Sequence, residues 1–251
     1  MTIKTQQELE MLKKAGRVVA ETLQLMIRSA EAGMTTAELD LIGRKNLERH
    51  GARSAPELTY NFPGATCISI NEQVAHGIPS DRKIQIGDLI NIDVSCELNG
   101  FFADTGASFQ FQGNDAKLAS LMDVTKKSLK ESIKKCRPAQ RFNLIGQTIE
   151  THAKRAGFSV IENIGSHGVG RALHEAPEFI AGYYDPQDRR TMHEGQVFTI
   201  EPFISTGAQM VEELDDKWTL ATSDRYRTAQ YEHTIVITKN SPIVITANEM
   251  F

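Results

Sequence analysis

GDLINIDVSCELNGFFADTGASFQF, residues 87–111, is the stretch on which the fold is read. Two runs rich in branched and aromatic residues, LINIDVS and FFADTGASFQF, have the composition of strands. Asn99-Gly100 stands between them and is the dipeptide a tight hairpin favours. Each strand carries an acid where apolar residues are expected. Asp93 closes the run Leu-Ile-Asn-Ile, and Asp104 follows Phe101-Phe102. A carboxylate in such a place is costly to desolvate unless something neutralises it.

The pattern has an echo further on. Gly87 to Asp93 (GDLINID) is matched by Gly195 to Glu201 (GQVFTIE), with a glycine six positions before a carboxylate in both. His76-Gly77-Ile78-Pro79 is echoed, in the same order, by His167-Gly168-Val169-Gly170. Outward from these strands the chain reads as helices. Apolar residues at Leu9, Leu12, Val19, Leu23 and Met26 predict an amphipathic helix over 6–30, ended by Gly33. Thr35-Thr36-Ala37-Glu38 has the form of a capping box, opening a second helix that runs to about His50. Residues 115–135 and 144–156 read as a third and a fourth helix, and strands dominate from Phe158 onward. The order is helix, helix, strands, twice over. It predicts a duplicated α+β unit in a single catalytic domain, 1–251, with halves near 1–113 and 114–251.

Composition bounds the function. With 251 residues, 40% hydrophobic and 24% charged, the chain can bury a core as an ordinary globular protein does. A net charge of −4 argues against nucleic acid or an anionic membrane as the main partner, though a transient ribosome contact through a local basic patch stays open. The lysines of 126–135 read as a solvated helix face. Cys67, Cys96 and Cys136 are few, odd in number and widely spaced, which fits neither a disulfide framework nor a zinc ribbon. The polar N-terminal stretch has no apolar core of a signal sequence and no run long enough to span a membrane. The expectation is a cytoplasmic protein, and a single domain of this size is compatible with a monomer.

Asp93, Asp104, Glu201 and Glu232 all adjoin or interrupt apolar strand segments. Any one reads as a salt bridge or a hydrogen-bonded cap. Four need four partners, and basic residues are scarce in comparable segments. Divalent cations would neutralise them together, with His167 in the run Gly-Ser-His-Gly as a neutral donor. Four oxygen donors and one nitrogen suit Mn(II), Fe(II), Co(II) or Zn in an open site, and two such ions can share a bridging hydroxide. No local spacing rule of the HExxH kind selects this over separate salt bridges. His76 and His174, like His167, fall in turn-like contexts beside those strands.

The segments ISINEQVAHGIP, GDLINIDVS, FFADTGASF, SHGVGRALHEAP, FTIEPFIS, the lone Trp218 and AQYEHTIVIT, in this order and spacing, resemble the type I methionine aminopeptidases of the pita-bread metallopeptidase family. The resemblance covers nearly the whole chain. It implies an α+β fold with a pseudo-twofold, duplicated antiparallel sheet flanked by helices. It implies a dinuclear metallo-exopeptidase that removes the N-terminal methionine of nascent polypeptides, preferring small second residues, by attack of a metal-bridging hydroxide on the first peptide bond. By the same resemblance Asp93 binds one metal, Asp104 and Glu232 bridge, and His167 and Glu201 complete the other. Glu201 also relays a proton, while His174 and His76 serve the carbonyl and the amide of the substrate. Phe62, Cys67, His76, His174 and Trp218 contact it. Taken alone, Phe62 and Trp218 read as core and Cys67 as a small buried apolar residue. Ala75, Ser166, Leu173 and the stretch 58–61 depart from common family residues and reshape the pocket rim. Another pita-bread hydrolase, such as an Xaa-Pro peptidase, is the alternative. It is disfavoured by the roughly sixty residues before the first strand motif, since such enzymes usually carry a large extra N-terminal domain. A non-catalytic binding protein of the same fold would be expected to have lost ligands, and all five are present.

Overall fold

The computed structural model describes residues 1–248. The first half comprises α1 (Gln6–Ser29), α2 (Thr36–Arg49), β1 (Arg53–Ser54), α3 (Ala55–Tyr60), β2 (Cys67–Ile70), β3 (Gln73–Ala75), β4 (Leu89–Leu98) and β5 (Phe101–Gln110). The second comprises α4 (Ala116–Lys135), α5 (Asn143–Arg155), β6 (Ser159–Val160), β7 (Gly165–Gly168), β8 (Glu175–Ala181), β9 (Val197–Ile200) and β10 (Phe203–Ser205). It ends with β11 (Glu212–Glu213), β12 (Leu220–Ala221), β13 (Thr228–Gln230), β14 (His233–Val236) and β15 (Ile243–Val244).

The helices form where the sequence reading puts them. Thr35 makes a complete capping box with Glu38, and Asp115 caps α4 through the Lys117 and Leu118 amides. α3 has no counterpart in the sequence reading. Six residues are too few for a periodicity, although Ser54 accepting from the Glu57 amide and Pro56 in the first turn are its local signals. The strands after Phe158 are mostly two to four residues long, so loops rather than strands make up much of this region.

β4 and β5 pair antiparallel through the Asn99-Gly100 turn, both residues at positive φ. In the second half β9 pairs antiparallel with β14. The two ladders begin alike. Gly87 and Gly195 both turn at positive φ, and their amides donate to the Phe111 and Ile237 carbonyls. The Phe111 and Ile237 amides in turn donate to the Asp88 and Gln196 carbonyls. The ladders also meet symmetrically. Ser108 Oγ bonds both the amide (2.9 Å) and the carbonyl (3.0 Å) of Gln230. Thr234 Oγ1 bonds both the amide (3.0 Å) and the carbonyl (2.8 Å) of Asp104. By the strand registers Ser108 corresponds to Thr234 and Asp104 to Gln230, so one hydroxyl clamp occurs twice about a pseudo-twofold axis. The duplicated sheet flanked by paired helices is the expected architecture. One apolar cluster joins the halves, with Leu12, Leu23, Ile92, Phe142, Ile145 and Ile200 all buried in it.

Candidate metal centre

The seam between the two ladders collects the acids. Asp93 on β4 lies opposite Gly106 on one side and Cys67 of β2 on the other. Asp104 is on β5, two residues before Gly106. Glu201 follows β9 directly, and Glu232 joins β13 to β14 with its amide donating to the Gly106 carbonyl at 2.9 Å. His167 lies on β7, its amide held by Thr199 Oγ1 at 3.0 Å.

Ligand atoms of Asp104, His167 and Glu232 lie within 4.8 Å of one another, and all three residues are buried. Asp93 and Glu201 adjoin this trio rather than falling inside that distance. The Asp93 charge adds to the raised pKa of Asp104, and Glu201 Oε1 lies 3.5 Å from His167 Nε2. The second carboxylate near that nitrogen, Asp104 Oδ2, is at 3.8 Å. His167 Nδ1 is 3.0 Å from the Gly168 carbonyl. A carbonyl only accepts, so Nδ1 carries the proton and the lone pair on Nε2 faces the acids. Burial holds His167 neutral, with its pKa lowered to about 3.

Burial raises Asp93 to about 6 and pushes Asp104, Glu201 and Glu232 well above the usual carboxylate range, with mutual repulsion adding to each of these three. No lysine or arginine lines the cavity beside them. Asp104 Oδ1 and Glu232 Oε1 are buried without a hydrogen-bond partner. Crowded acids, orphaned oxygens and an imidazole lone pair on one spot fit divalent cations and little else.

Above the acids is a cavity of about 410 Å³. Asp93, Asp104, His167 and Glu201 form its floor, while Glu232 lies beneath and does not line it. Phe62 and Trp218 meet edge to face at 5.2 Å and, with Cys67, make an apolar wall. Burial pushes the Cys67 thiol well up, so it acts as an inert apolar surface. His76 follows β3 at φ 54°, and burial lowers its pKa. His174 stacks on His167 with ring centroids 4.0 Å apart and has a pKa lowered to about 4 by burial, then by His76.

Every residue singled out in the sequence is at this site, but several that support it were not. Thr199 Oγ1 donates to Glu201 Oε1 at 2.9 Å, and Gln230 Nε2 donates to Glu232 Oε2 at 3.1 Å. Asn91 Nδ2 holds Gln230 Oε1 at 2.8 Å. Thr199 and Gln230 each precede an acid by two positions, the spacing that shares a strand face, and that was the available signal. Phe203 and Phe179 also line the cavity, with nothing in their local sequence to mark them.

Residues 10–239 match the model of metallopeptidase family M24. The chain is 48% identical over 247 residues to methionine aminopeptidase 2 of Bacillus subtilis, covering 98% of this chain and 99% of that protein. Against a methionine aminopeptidase of Staphylococcus epidermidis identity is 44%, with 98% of each covered. The crystal structure of methionine aminopeptidase from Thermotoga maritima superposes with a TM-score of 0.94 at 32% identity, covering 99% of this chain and all of that one. The prolidase of Pyrococcus furiosus, at 22% identity and TM-score 0.78, covers 99% of this chain and 66% of that one, and shares the fold. The fold is the pita-bread fold.

Proposed function

This chain belongs to metallopeptidase family M24, and on that footing we propose that Asp93, Asp104, His167, Glu201 and Glu232 hold two divalent cations. The chain is a metal-dependent aminopeptidase that removes N-terminal methionine. The observation that carries the reading is the cluster of Asp104, His167 and Glu232 with two orphaned carboxylate oxygens and, among the described residues, no lysine or arginine lining the cavity. Four oxygen donors and one imidazole suit Mn(II), Co(II), Fe(II) or Zn. Such ions supply Lewis-acid polarisation of the scissile carbonyl and lower the pKa of water.

The protein's own groups do the rest. Phe62, Cys67 and Trp218 take the methionine side chain, whose flexible thioether packs well against apolar and aromatic walls. His76 contacts the scissile amide and orients the substrate. His174 donates to the carbonyl oxygen as negative charge develops there. One oxygen of Glu201 is committed to Thr199, which leaves the other to take a proton from the attacking water and pass it to the departing nitrogen. The chain works as one catalytic domain and as a monomer on nascent polypeptide N-termini in the cytoplasm. Among the described residues no helix is long and apolar enough to cross a membrane.

The test is methionine release from Met-Gly, Met-Ala and Met-Leu peptides, beside Xaa-Pro peptides, after chelation and after return of each metal. Activity is expected to vanish with chelator, return with Mn(II), Co(II) or Fe(II), and favour glycine and alanine in second place. Cleavage of Xaa-Pro peptides without methionine release would overturn the assignment.

A further inference from the structure

Tyr60 lies outside the roles assigned above, yet its phenolic oxygen is 2.7 Å from His174 Nδ1. The two residues come from opposite halves, and their rings stand tilted with centroids 5.6 Å apart. His174 makes no other hydrogen bond to a described residue, so this contact alone sets which ring nitrogen bears the proton.

Tyr60 is held in place. It is the last residue of α3, which Ser54 caps through the Glu57 amide. Arg44 Nη1 and Nη2 grip Glu57 at 2.9 and 2.5 Å and tie α3 to α2. Asn61 then turns the chain at φ 57°, sending Phe62 to the apolar wall while Tyr60 stays at the rim, 41% exposed. A phenol O–H is a better donor than an imidazole N–H, and an imidazole nitrogen a better acceptor than a phenol oxygen. The favoured arrangement has Tyr60 donating and Nδ1 accepting.

We propose that Tyr60 is a positioning residue: its hydroxyl donates to His174 Nδ1 and fixes the tautomer whose Nε2–H is free to donate into the cavity. The catalytic use of that donor rests on the aminopeptidase reading, whereas the tautomer does not. Without the hydroxyl, both neutral tautomers are populated, and one presents a lone pair to the developing oxyanion and repels it.

The test uses the full chain labelled with ¹⁵N-histidine and loaded with diamagnetic Zn(II), with His174 assigned by comparison with His174→Asn. In the parent, Nδ1 should resonate as an unprotonated and Nε2 as a protonated nitrogen. In Tyr60→Phe, which keeps the ring and its packing, the two signals should move towards each other as the tautomers mix. On a Met-Ala peptide that variant should lose about tenfold in kcat, the worth of one hydrogen bond, with KM changed less than about twofold. A protonated Nδ1 in the parent, an unchanged spectrum in the variant, or an unchanged kcat overturns the proposal. A parent that released no methionine would sink the aminopeptidase reading, while its spectrum would still decide the tautomer.

Discussion

Glu232 shows most plainly what single residues do here. It is 1% exposed, one oxygen bonded to Gln230 and the other to nothing, with Asp104, Glu201 and Asp93 all raising its pKa after burial. A glutamine there keeps the shape and removes a charge. Glu232→Gln should therefore act with opposite signs on two measurements. The chelated protein at pH 8 should melt a few degrees higher, about 1 kcal/mol of relieved repulsion, as read by calorimetry. Its affinity for Mn(II) should drop at least about tenfold, as read by titration calorimetry. A lower melting temperature for the chelated variant would mean that the acids are not mutually strained.

At the scale of elements, the seam of β5 with β13 and β14 fixes the acids from behind. Gly106 on β5 has no room for a side chain, since a Cβ there would lie 2.4 Å from Gln230 Oε1 and 2.7 Å from its Nε2. Gln230 sits between Asn91 and Glu232. Gly106→Ala should push that carboxamide aside, release Glu232 and weaken Mn(II) binding about tenfold, the loss of one charge-assisted hydrogen bond. The helices should be untouched, so far-UV circular dichroism of the variant should overlay the parent's. Unchanged metal affinity would show that Gln230 does not orient Glu232.

For the whole molecule, the acids make the metal-free fold sensitive to pH. Asp93, raised to about 6, and Asp104, Glu201 and Glu232, each raised well above the usual carboxylate range by burial, hold protons in the folded state that the unfolded chain has already lost. Their contribution is complete below the unfolded carboxylate pKa, about 4, and is lost as pH rises through the folded values. His167 and His174, lowered to about 3 and about 4, act the other way between those values and 6.5. Between about pH 6.5 and 8, above the histidine range and below that in which the thiols of the unfolded chain ionise, the acids dominate, so chelated protein should lose up to about 1.4 kcal/mol per pH unit for each proton released. Bound metal should flatten this slope, because the cations take the place of the protons. Thermal melts from pH 6.5 to 8, with chelator and with Mn(II), measure both. A chelated protein as stable at pH 8 as at pH 6.5 would contradict the raised carboxylates.

The hairpin, the four long helices and the duplication are legible along the chain, because each is encoded by near neighbours in sequence. Asn99-Gly100 sets a turn, Thr35 and Glu38 a cap, and a glycine six residues before an acid marks each half. The sequence also marks Asp93, Asp104, Glu201 and Glu232, since an acid beside or within an apolar strand is anomalous wherever the strand goes. α3 was not legible, being too short to show a period, and with it went the reach of Tyr60 across to His174. That Ser108 and Thr234 clamp the two ladders together, and that Asn91 reaches Gln230 behind Glu232, emerges only in the folded chain. Those contacts join residues more than a hundred positions apart, and their strength comes from a buried, water-poor setting that exists only once both halves have closed on each other.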